Sequence, residues 1–310
     1  MLLRISIGWH FCNEGREKLE SYSTTKPFSA EPYLRASTGP LASYFRNLVP
    51  DADSRNKLIP ETLQAGWKAD TDRISEHFHF DQTQAENLNQ LVSDSVTRAD
   101  DWFRSQENAE RVKKYFYDLL AIEAVEGNRA ALSYERERTY LARRSLEADR
   151  KSLAGTMDAW SASLRDSAIK LATKDQAESF GSYTGVKTQL DQINLVTAYA
   201  LTILGACLMV GFLTPVAALG AAGYLAMFYF SMPPWPGLPE SPIAEGHYWI
   251  VNKNLVEMFA CLALAATPSG LWIGFDALLF GPYARRAALR REARLAQRTS
   301  HDADHRKSFQ

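Results

Sequence analysis

One stretch decides the fold of this chain: residues 193–230 read INLVTAYALTILGACLMVGFLTPVAALGAAGYLAMFYF, and almost every side chain in it is apolar or small. About 20 predominantly apolar residues are enough for a helix to cross the hydrocarbon core of a bilayer. This run is nearly twice as long, and turn-forming residues occupy its middle, from Gly211 to Pro215. The stretch therefore predicts two membrane-spanning helices joined by a tight turn.

A second apolar segment, residues 248–267, predicts a further crossing that ends at the helix-breaking sequence Pro268-Ser269-Gly270. Beyond the break, LWIGFDALLF is too short to cross again. We expect this segment to lie at the membrane interface or to fold back under the helices. No fifth crossing is predicted.

The N-terminal residues 2–22 mix apolar side chains with polar ones, namely Arg4, His10, Glu14, Arg16, Glu17 and Lys18. A charge at the bilayer centre costs roughly 2.5–3.5 kcal/mol on insertion scales. However, Leu3, Ile7, His10, Glu14 and Lys18 share one helical stripe, and Gly8, Cys12 and Gly15 permit close helix packing. We predict a first span whose polar stripe faces protein. A cleaved signal peptide is the alternative, although the charged stretch after Phe11 does not suit one.

The orientation follows from a basic cluster after the last apolar segment, formed by Arg285, Arg286, Arg290, Arg291, Arg294 and Arg298. Such clusters remain in the cytoplasm. Four crossings of an inner (plasma) membrane then place both termini in the cytoplasm. The predicted organisation is span one at 1–22, an extracytoplasmic insertion at 23–191, spans two to four with the interfacial segment at 192–282, and a basic tail at 283–310.

The insertion is rich in charge, and its apolar residues recur at helical spacing from Leu88 to Ile122 and again from Leu132 to Leu164. Gly127 and Asn128 mark a turn between the two series. All three cysteines lie in predicted spans, so no disulfide can stabilise the insertion. Packing must do so, and we predict a helical hairpin or short coiled coil on an all-α protein.

Three segments resemble the DoxX family: LLRISIGWHFCNEGREKL, GACLMVGFLTPVAALGAAGYLAMF and EGHYWIVNKNLVEMFACLALAATPSGLWIGFDALL. Their order and spacing are similar to those of a four-helix DoxX bundle, which is related to the DoxD small subunit of thiosulfate:quinone oxidoreductase. The insertion lies outside this resemblance, and Thr214-Pro215 stands where many such sequences carry a basic residue. The resemblance implies a redox-associated membrane subunit, with a quinone as expected ligand and a redox partner subunit.

The residues also predict where polar groups meet. Span one runs outward and span four inward, so Glu14 and Lys18 share the outer level with Asn252, Lys253, Asn254 and Glu257, and His247 lies just above. Charges this costly to expose to lipid must find partners. Two interpretations stay open: an ion-pair network that locks the bundle, and a pocket that handles quinone or protons.

In the functional interpretation, Glu14 and Glu257 exchange protons with a bound quinone, because carboxylates in dry pockets are suited to proton transfer. Lys18, Lys253 and Asn254 orient its carbonyl groups, and His247 and Asn252 complete the ligand-binding set. At the inner side we predict a structural ion pair between Arg4 and Asp276.

No metal site is predicted, because His77 and His79 alternate as on a strand without a third ligand. Nucleic-acid binding is not expected either, since no recognition motif accompanies the basic tail. Two functional classes remain: a quinone-linked redox subunit in the lipid bilayer, and a membrane anchor that presents the insertion for assembly with a partner or with a second copy of the chain.

Overall fold

The computed structural model describes residues 1–128, 130–240, 246–283, 286, 289 and 290, and within these residues the chain is helical without any strand. This confirms the all-α class. The described helices, in chain order, are α1 (Leu2–Ser21), α2 (Glu31–Arg35), α3 (Ala42–Asn47), α4 (Arg55–Leu58), α5 (Pro60–Phe78), α6 (Gln82–Arg104), α7 (Gln106–Glu126), α8 (Ser133–Ile169), α9 (Lys174–Phe180), α10 (Gln189–Val210), α11 (Thr214–Ser231), α12 (Lys253–Ala266) and α13 (Ser269–Trp272).

The chain forms two compact units. The bundle unit contains Met1–Tyr33, Asp191–Pro234 and Pro242–Gln310, and the insertion unit contains Leu34–Leu190 and Trp235–Ser241. The insertion predicted at 23–191 thus corresponds to most of one unit, while residues 23–33 belong with the bundle. The short segment after α11 belongs with the insertion unit, which no local sequence pattern indicated.

Glycines bring α1 and α10 into backbone contact. A Cβ atom on Gly205 would lie 2.3 Å from the backbone nitrogen of Cys12, and one on Gly15 would lie 2.4 Å from the backbone nitrogen of Thr202. At Gly8 the nearest atom would be the backbone nitrogen of Met209, 2.8 Å away. No side chain fits at such distances. The close packing expected from the glycines of α1 is therefore present, and α10 is the helix they contact.

The turn between α10 and α11 is a glycine-ended helix terminus. Gly211 has a φ of +70°, and the N–H of Phe212 donates to the carbonyl of Cys207 over 2.9 Å. This bond and the left-handed residue define a Schellman ending, which glycine adopts without steric cost. Pro215 then lies in the first turn of α11, where its missing N–H is not needed. The predicted turn from Gly211 to Pro215 is confirmed.

α12 begins later than expected. Tyr248 and Val251 exchange two backbone hydrogen bonds of 3.0 Å across a tight turn, and the helix starts only at Lys253. The side chain of Asn252 accepts a 3.0 Å bond from the N–H of Leu255, which caps the first turn. The prediction of helix from Tyr248 onward is therefore wrong. Residues 248–251 form a turn, and the Asn252 cap places the first helical residue at Lys253.

Within the described residues, α10 and α11 are the helices long and apolar enough to cross a membrane. α12 has 14 residues, fewer than the roughly 20 that a crossing needs, and α1 carries the charged side chains noted above. All four helices nevertheless share one core. It is formed by Ile7, Phe11, Leu201, Leu208, Ala217, Ala218, Ala221, Ala222, Leu225, Cys261 and Leu264.

The insertion unit contains four long helices, α5 to α8, where a hairpin of two was predicted. They pack around Trp67 of α5, Ala99 of α6, Leu119 of α7, and Leu153 and Met157 of α8. Ser105 separates α6 from α7, because its side chain caps the new helix by accepting from the N–H of Asn108. Asp81 caps the start of α6 by accepting from the N–H of Gln84, and the second apolar series, from Leu132 to Leu164, lies almost entirely in the 37 residues of α8.

A loop before α4 is held by donors from three other parts of the insertion unit. Asp51 and Ser54 both have positive φ, which is uncommon for residues other than glycine. Four side chains bind the loop: Arg35 donates to the carbonyl of Ala52, Tyr115 to the carbonyl of Asp53, Arg143 to the Asp53 carboxylate and Arg150 to the Ser54 hydroxyl. Burial is the main cause that raises the pKa of the Tyr115 hydroxyl, which therefore stays a donor. We call residues 51–54 the clasped loop.

The glycine crossing gives a first prediction. Gly205→Ala places a methyl group against backbone atoms of α1, and we expect it to lower the stability of the bundle unit by about 1–3 kcal/mol. Gly223→Ala is the matched control, because a Cβ there meets nothing within 4 Å. It should be neutral or stabilising by about 0.5–1 kcal/mol. Thermal unfolding of the two detergent-solubilised variants measures the difference, and equal melting temperatures would contradict the crossing.

Glu147 on α8 gives a second prediction. Burial alone would raise the pKa of this carboxyl group, but the hydrogen bond from Arg150 and the charge of Arg35 outweigh it and hold the pKa below its ordinary value of 4.5. Its contribution to stability is then fully present above a pH of about 4.5 and is lost as the pH falls through the lowered value.

Glu147→Gln should accordingly destabilise the insertion unit at pH 7 by about 1–2 kcal/mol. The difference in free energy of unfolding between this variant and the unsubstituted protein should become smaller as the pH falls. Urea unfolding of the full chain at pH 7 and pH 3, followed by tryptophan fluorescence, measures this. Glu137→Gln, an exposed position on the same helix, is the control. If the difference in free energy of unfolding between Glu147→Gln and the unsubstituted protein became larger in acid, the lowered pKa of Glu147 would be refuted.

Candidate functional site at the two ends of the bundle

Polar side chains in the bundle unit form two clusters at opposite ends of α1 and α12. The Glu257 cluster consists of His10, Glu14, Lys18, Asn252, Lys253 and Glu257. The Asp276 cluster consists of Arg4, Thr214, Ser269 and Asp276. Both place ionisable groups among apolar helices, where an unsatisfied charge is costly.

The α1 side of the Glu257 cluster is a ladder with four-residue spacing. Lys18 Nζ lies 2.6 Å from Glu14 Oε2 and also donates to the Glu14 carbonyl over 3.3 Å. The same ammonium group lies 5.2 Å from the centre of the Phe28 ring. The charges of His10 and Lys253 act on the Glu14 carboxylate as well. Glu14 is thus held between cations from two segments of the chain.

The contact between α1 and α12 in this cluster is made by His10 and Glu257. His10 Nε2 lies 3.9 Å from Glu257 Oε1, which allows an ion pair when the imidazole is protonated but is too long for a direct hydrogen bond. Both side chains are partly exposed, so protons can reach them. Sequence reasoning placed His10 on the polar stripe but did not assign it to the site. Its four-residue spacing from Glu14 was the available signal.

The other predicted site residues have mixed surroundings. Asn252 is buried and bonded to its own helix, Asn254 is half-buried in the first turn of α12, and Lys253 is exposed there. His247 precedes the turn, and its Nε2 is buried without a hydrogen-bond partner among the described residues. A buried ring nitrogen in this state is suited to a hydrogen bond with a ligand.

Asp276 caps α11 from more than 60 residues away. Its carboxylate accepts from the N–H of Leu213 over 2.7 Å and from the N–H of Thr214 over 2.8 Å, and its own N–H donates to the carbonyl of Gly211 over 2.9 Å. A carboxylate at a helix N-terminus satisfies free N–H groups and interacts favourably with the helix dipole. This buried side chain therefore fixes the turn between α10 and α11.

Arg4 reaches the same turn but does not pair directly with Asp276. Its Nη1 donates to the carbonyl of Ser269 over 3.0 Å, and a Cβ on Gly211 would lie 2.6 Å from that nitrogen. Among the described residues no ion pair within 4.0 Å joins Arg4 to Asp276. In place of the predicted ion pair, Arg4 and Asp276 each form hydrogen bonds with backbone groups. These groups are available because helix ends leave N–H and C=O groups without partners inside the helix.

The insertion unit carries a groove between α7 and α8, with a volume of about 580 Å³. Its wall includes Lys114, Asp118 and Ile122 on α7 and Tyr134, Arg138 and Leu146 on α8. Tyr134 in this wall is 63% exposed, and Tyr117, Leu120 and Leu141, which are more than half exposed, lie on the same two helices outside the wall. The groove therefore combines apolar surface with both signs of charge.

His77 and His79 do not lie on a strand. His77 is in the last turn of α5, and His79 ends that helix with a φ of 52°. Within the described residues, no group of three or more His, Cys, Asp or Glu side chains is placed to hold a metal ion.

Asp276→Asn tests the long-range cap. The amide removes the charge and turns an N–H₂ group toward backbone donors, so we expect a loss of about 1–3 kcal/mol in bundle stability. Glu20→Gln, which changes an exposed carboxylate paired with Arg16, should cost no more than about 0.5 kcal/mol. Thermal unfolding in one detergent compares them, and an Asp276→Asn protein as stable as Glu20→Gln would rule out the cap.

No family model, curated protein or solved structure matches this chain.

Proposed function

We propose that the bundle unit is a DoxX-like four-span membrane bundle that works as a redox-associated subunit and binds a quinone beside the Glu257 cluster. The observation that carries the membrane assignment is the exposure of large apolar side chains on the outer faces of α10, α11 and α12. They include Leu195, Val196, Tyr199, Ile203, Val216, Leu219, Met227, Val256, Phe259 and Leu262. An apolar surface of this extent is unfavourable in water and favourable against lipid.

The two helices that fall short of a simple span have features that fit the proposal. In α1, Glu14 and Lys18 neutralise each other, which lowers the cost of placing them near lipid. α12 is followed by α13 and by a helical stretch at residues 275–283, which adds apolar length beyond Pro268. Multi-pass insertion in the inner membrane with both termini in the cytoplasm is part of the proposal and rests on the basic cluster near the C-terminus.

The Glu257 cluster supports the quinone assignment through its combination of groups. When bound, a quinone accepts two electrons and two protons, and the electrons would come from a separate cofactor-bearing redox partner. Glu257 holds and transfers the protons, and His10, 3.9 Å from Glu257, exchanges a proton with it, while Glu14 is ion-paired with Lys18. Lys18, Lys253 and Asn254 orient the carbonyl oxygens, and Nε2 of His247, which has no hydrogen-bond partner within the described part of the chain, offers a further hydrogen bond.

A second candidate function rests on the groove between α7 and α8. In this alternative the bundle is only an anchor, and the insertion unit assembles with another protein or a second copy of the chain through the exposed Tyr117, Leu120, Tyr134 and Leu141. A structural ion-pair role for the Glu257 cluster belongs to this alternative. The two functions differ in what copurifies with the protein.

Glu257→Gln is the discriminating variant. The full chain, purified in mild detergent, is expected to retain quinone that solvent extraction and native mass spectrometry detect. Glu257→Gln should reduce the retained quinone at least tenfold, because the amide cannot exchange the proton or interact with protonated His10. Glu20→Gln on α1 is the matched control and should retain quinone fully.

Each variant must stay in the membrane fraction after an alkaline wash for the comparison to count. Equal quinone in Glu257→Gln and in the unsubstituted protein would remove the proposed role of the cluster. Absence of quinone from every sample, together with a stoichiometric protein partner bound to residues 84–165, would favour the anchoring function.

A further inference from the structure

The helical stretch that follows α13 is fixed to the bundle near its start and exposed further along. Its described helical positions are residues 275–283, 286, 289 and 290. Asp276, in the first turn, is 4% exposed because its carboxylate caps α11. Beyond it, Leu278 is 75% exposed and Tyr283 is 70% exposed. The later turns of the stretch therefore present their side chains away from the bundle.

Four exposed side chains of this stretch share one side of the helix. Leu279, Tyr283, Arg286 and Arg290 follow one another at intervals of four, three and four residues, which is the spacing of a helical stripe. We call these four residues the basic-apolar stripe. At a rise of 1.5 Å per residue the stripe is about 16 Å long. Its first half is apolar and its second half is basic, the order in which a phospholipid presents its acyl chains and its phosphate.

The positive charge of the stripe is not balanced by acidic residues close in sequence. Residues 258–291 contain four arginines, at positions 285, 286, 290 and 291, and a single acidic residue, Asp276. The Asp276 carboxylate is buried and bound to the backbone at the start of α11. Residues four apart on a helix have Cβ atoms about 5–6 Å from each other, so Arg286 and Arg290 can reach the same phosphate. The second half of the stripe is therefore suited to an anion.

Other exposed parts of the bundle unit lack this combination of apolar and basic side chains. Residues 192–231, which include almost all of α10 and the whole of α11, contain no Asp, Glu, Lys or Arg. Their exposed faces suit acyl chains but cannot distinguish one headgroup from another. In the Glu257 cluster, Lys18 is already paired with Glu14 over 2.6 Å. Selectivity for a charged headgroup is therefore assigned to the basic-apolar stripe.

We propose that the basic-apolar stripe binds an anionic phospholipid, with the acyl chains along Leu279 and Tyr283 and the phosphate held by Arg286 and Arg290. Guanidinium groups bind phosphate oxygens through pairs of N–H donors. A zwitterionic choline lipid is disfavoured, because its ammonium group brings a second positive charge to a basic surface. The inference rests on the membrane location in the proposed function but not on the quinone.

Lipid titration of the full chain in mild detergent tests the basic half of the stripe. Native mass spectrometry measures the binding of dioleoyl phosphatidylglycerol and of dioleoyl phosphatidylcholine, and we expect the first to bind at least tenfold more tightly. Arg286→Gln and Arg290→Gln should each weaken phosphatidylglycerol binding about fivefold and leave phosphatidylcholine binding unchanged. Arg16→Gln is the matched control, because Arg16 is an exposed arginine on α1 that pairs with Glu20, and it should change neither.

Three results would overturn the proposal. The unsubstituted protein could bind the two lipids equally, or both arginine substitutions could leave phosphatidylglycerol binding unchanged. Displacement of phosphatidylglycerol by an equal concentration of inorganic phosphate would assign the arginines to a free anion instead of a lipid.

Tyr283→Ser tests the apolar half. Because it removes apolar contact and no charge, it should weaken the binding of both lipids by the same factor, about threefold or more. Tyr117→Ser, at a position of α7 that is 73% exposed, is the matched control and should change neither. Unchanged binding of both lipids by Tyr283→Ser would overturn this placement of the acyl chains.

An alkaline wash of membranes separates this inference from the proposed function. A chain that resists the wash but shows no preference for phosphatidylglycerol would overturn the lipid site alone. A chain that the wash releases, and that still binds phosphatidylglycerol through Arg286 and Arg290, would overturn the membrane-spanning bundle alone.

Discussion

Backbone contact between α1 and α10 is the constraint on which the bundle unit depends. Gly8 and Gly15 lie on the side of α1 that meets α10, and Gly205 completes the contact from the other helix. His10 and Glu14 lie on a different side of α1, which leaves His10 free to face Glu257 of α12. The bundle accommodates the many polar side chains of α1 because the small residues of this helix are used for packing and its charged residues have partners.

Backbone groups, more than opposite charges, satisfy the buried polar side chains of this bundle. Asp276 binds the N-terminus of α11, Arg4 binds the carbonyl of Ser269, and Asn252 caps α12. Helix ends supply free N–H and C=O groups at fixed positions, so a buried side chain near them gains hydrogen bonds without needing a charged partner. The Glu257 cluster differs, since His10 and Glu257 face each other side chain to side chain. That difference is why the proposed chemistry is assigned to it.

The insertion unit obtains its stability by other means. An apolar core of four helices is combined with the clasped loop, where arginines from α2 and α8 and a tyrosine from α7 converge on residues 51–54. One of these bonds goes to Ser54, which has a positive φ. The wall of the groove between α7 and α8 includes no residue of this loop, although both features involve the same pair of helices.

The sequence by itself determined the helical class, the two apolar helices with their glycine-proline turn, and the glycine face of α1. These features are local: they follow from hydropathy, spacing and turn chemistry within about one or two helical turns. Only the tertiary structure decided that Asp276 caps α11 and does not pair with Arg4, that His10 meets Glu257, and that the insertion has four long helices. Each of these depends on which groups compete for a hydrogen bond across segments distant in sequence, and that competition is resolved only when the helices pack.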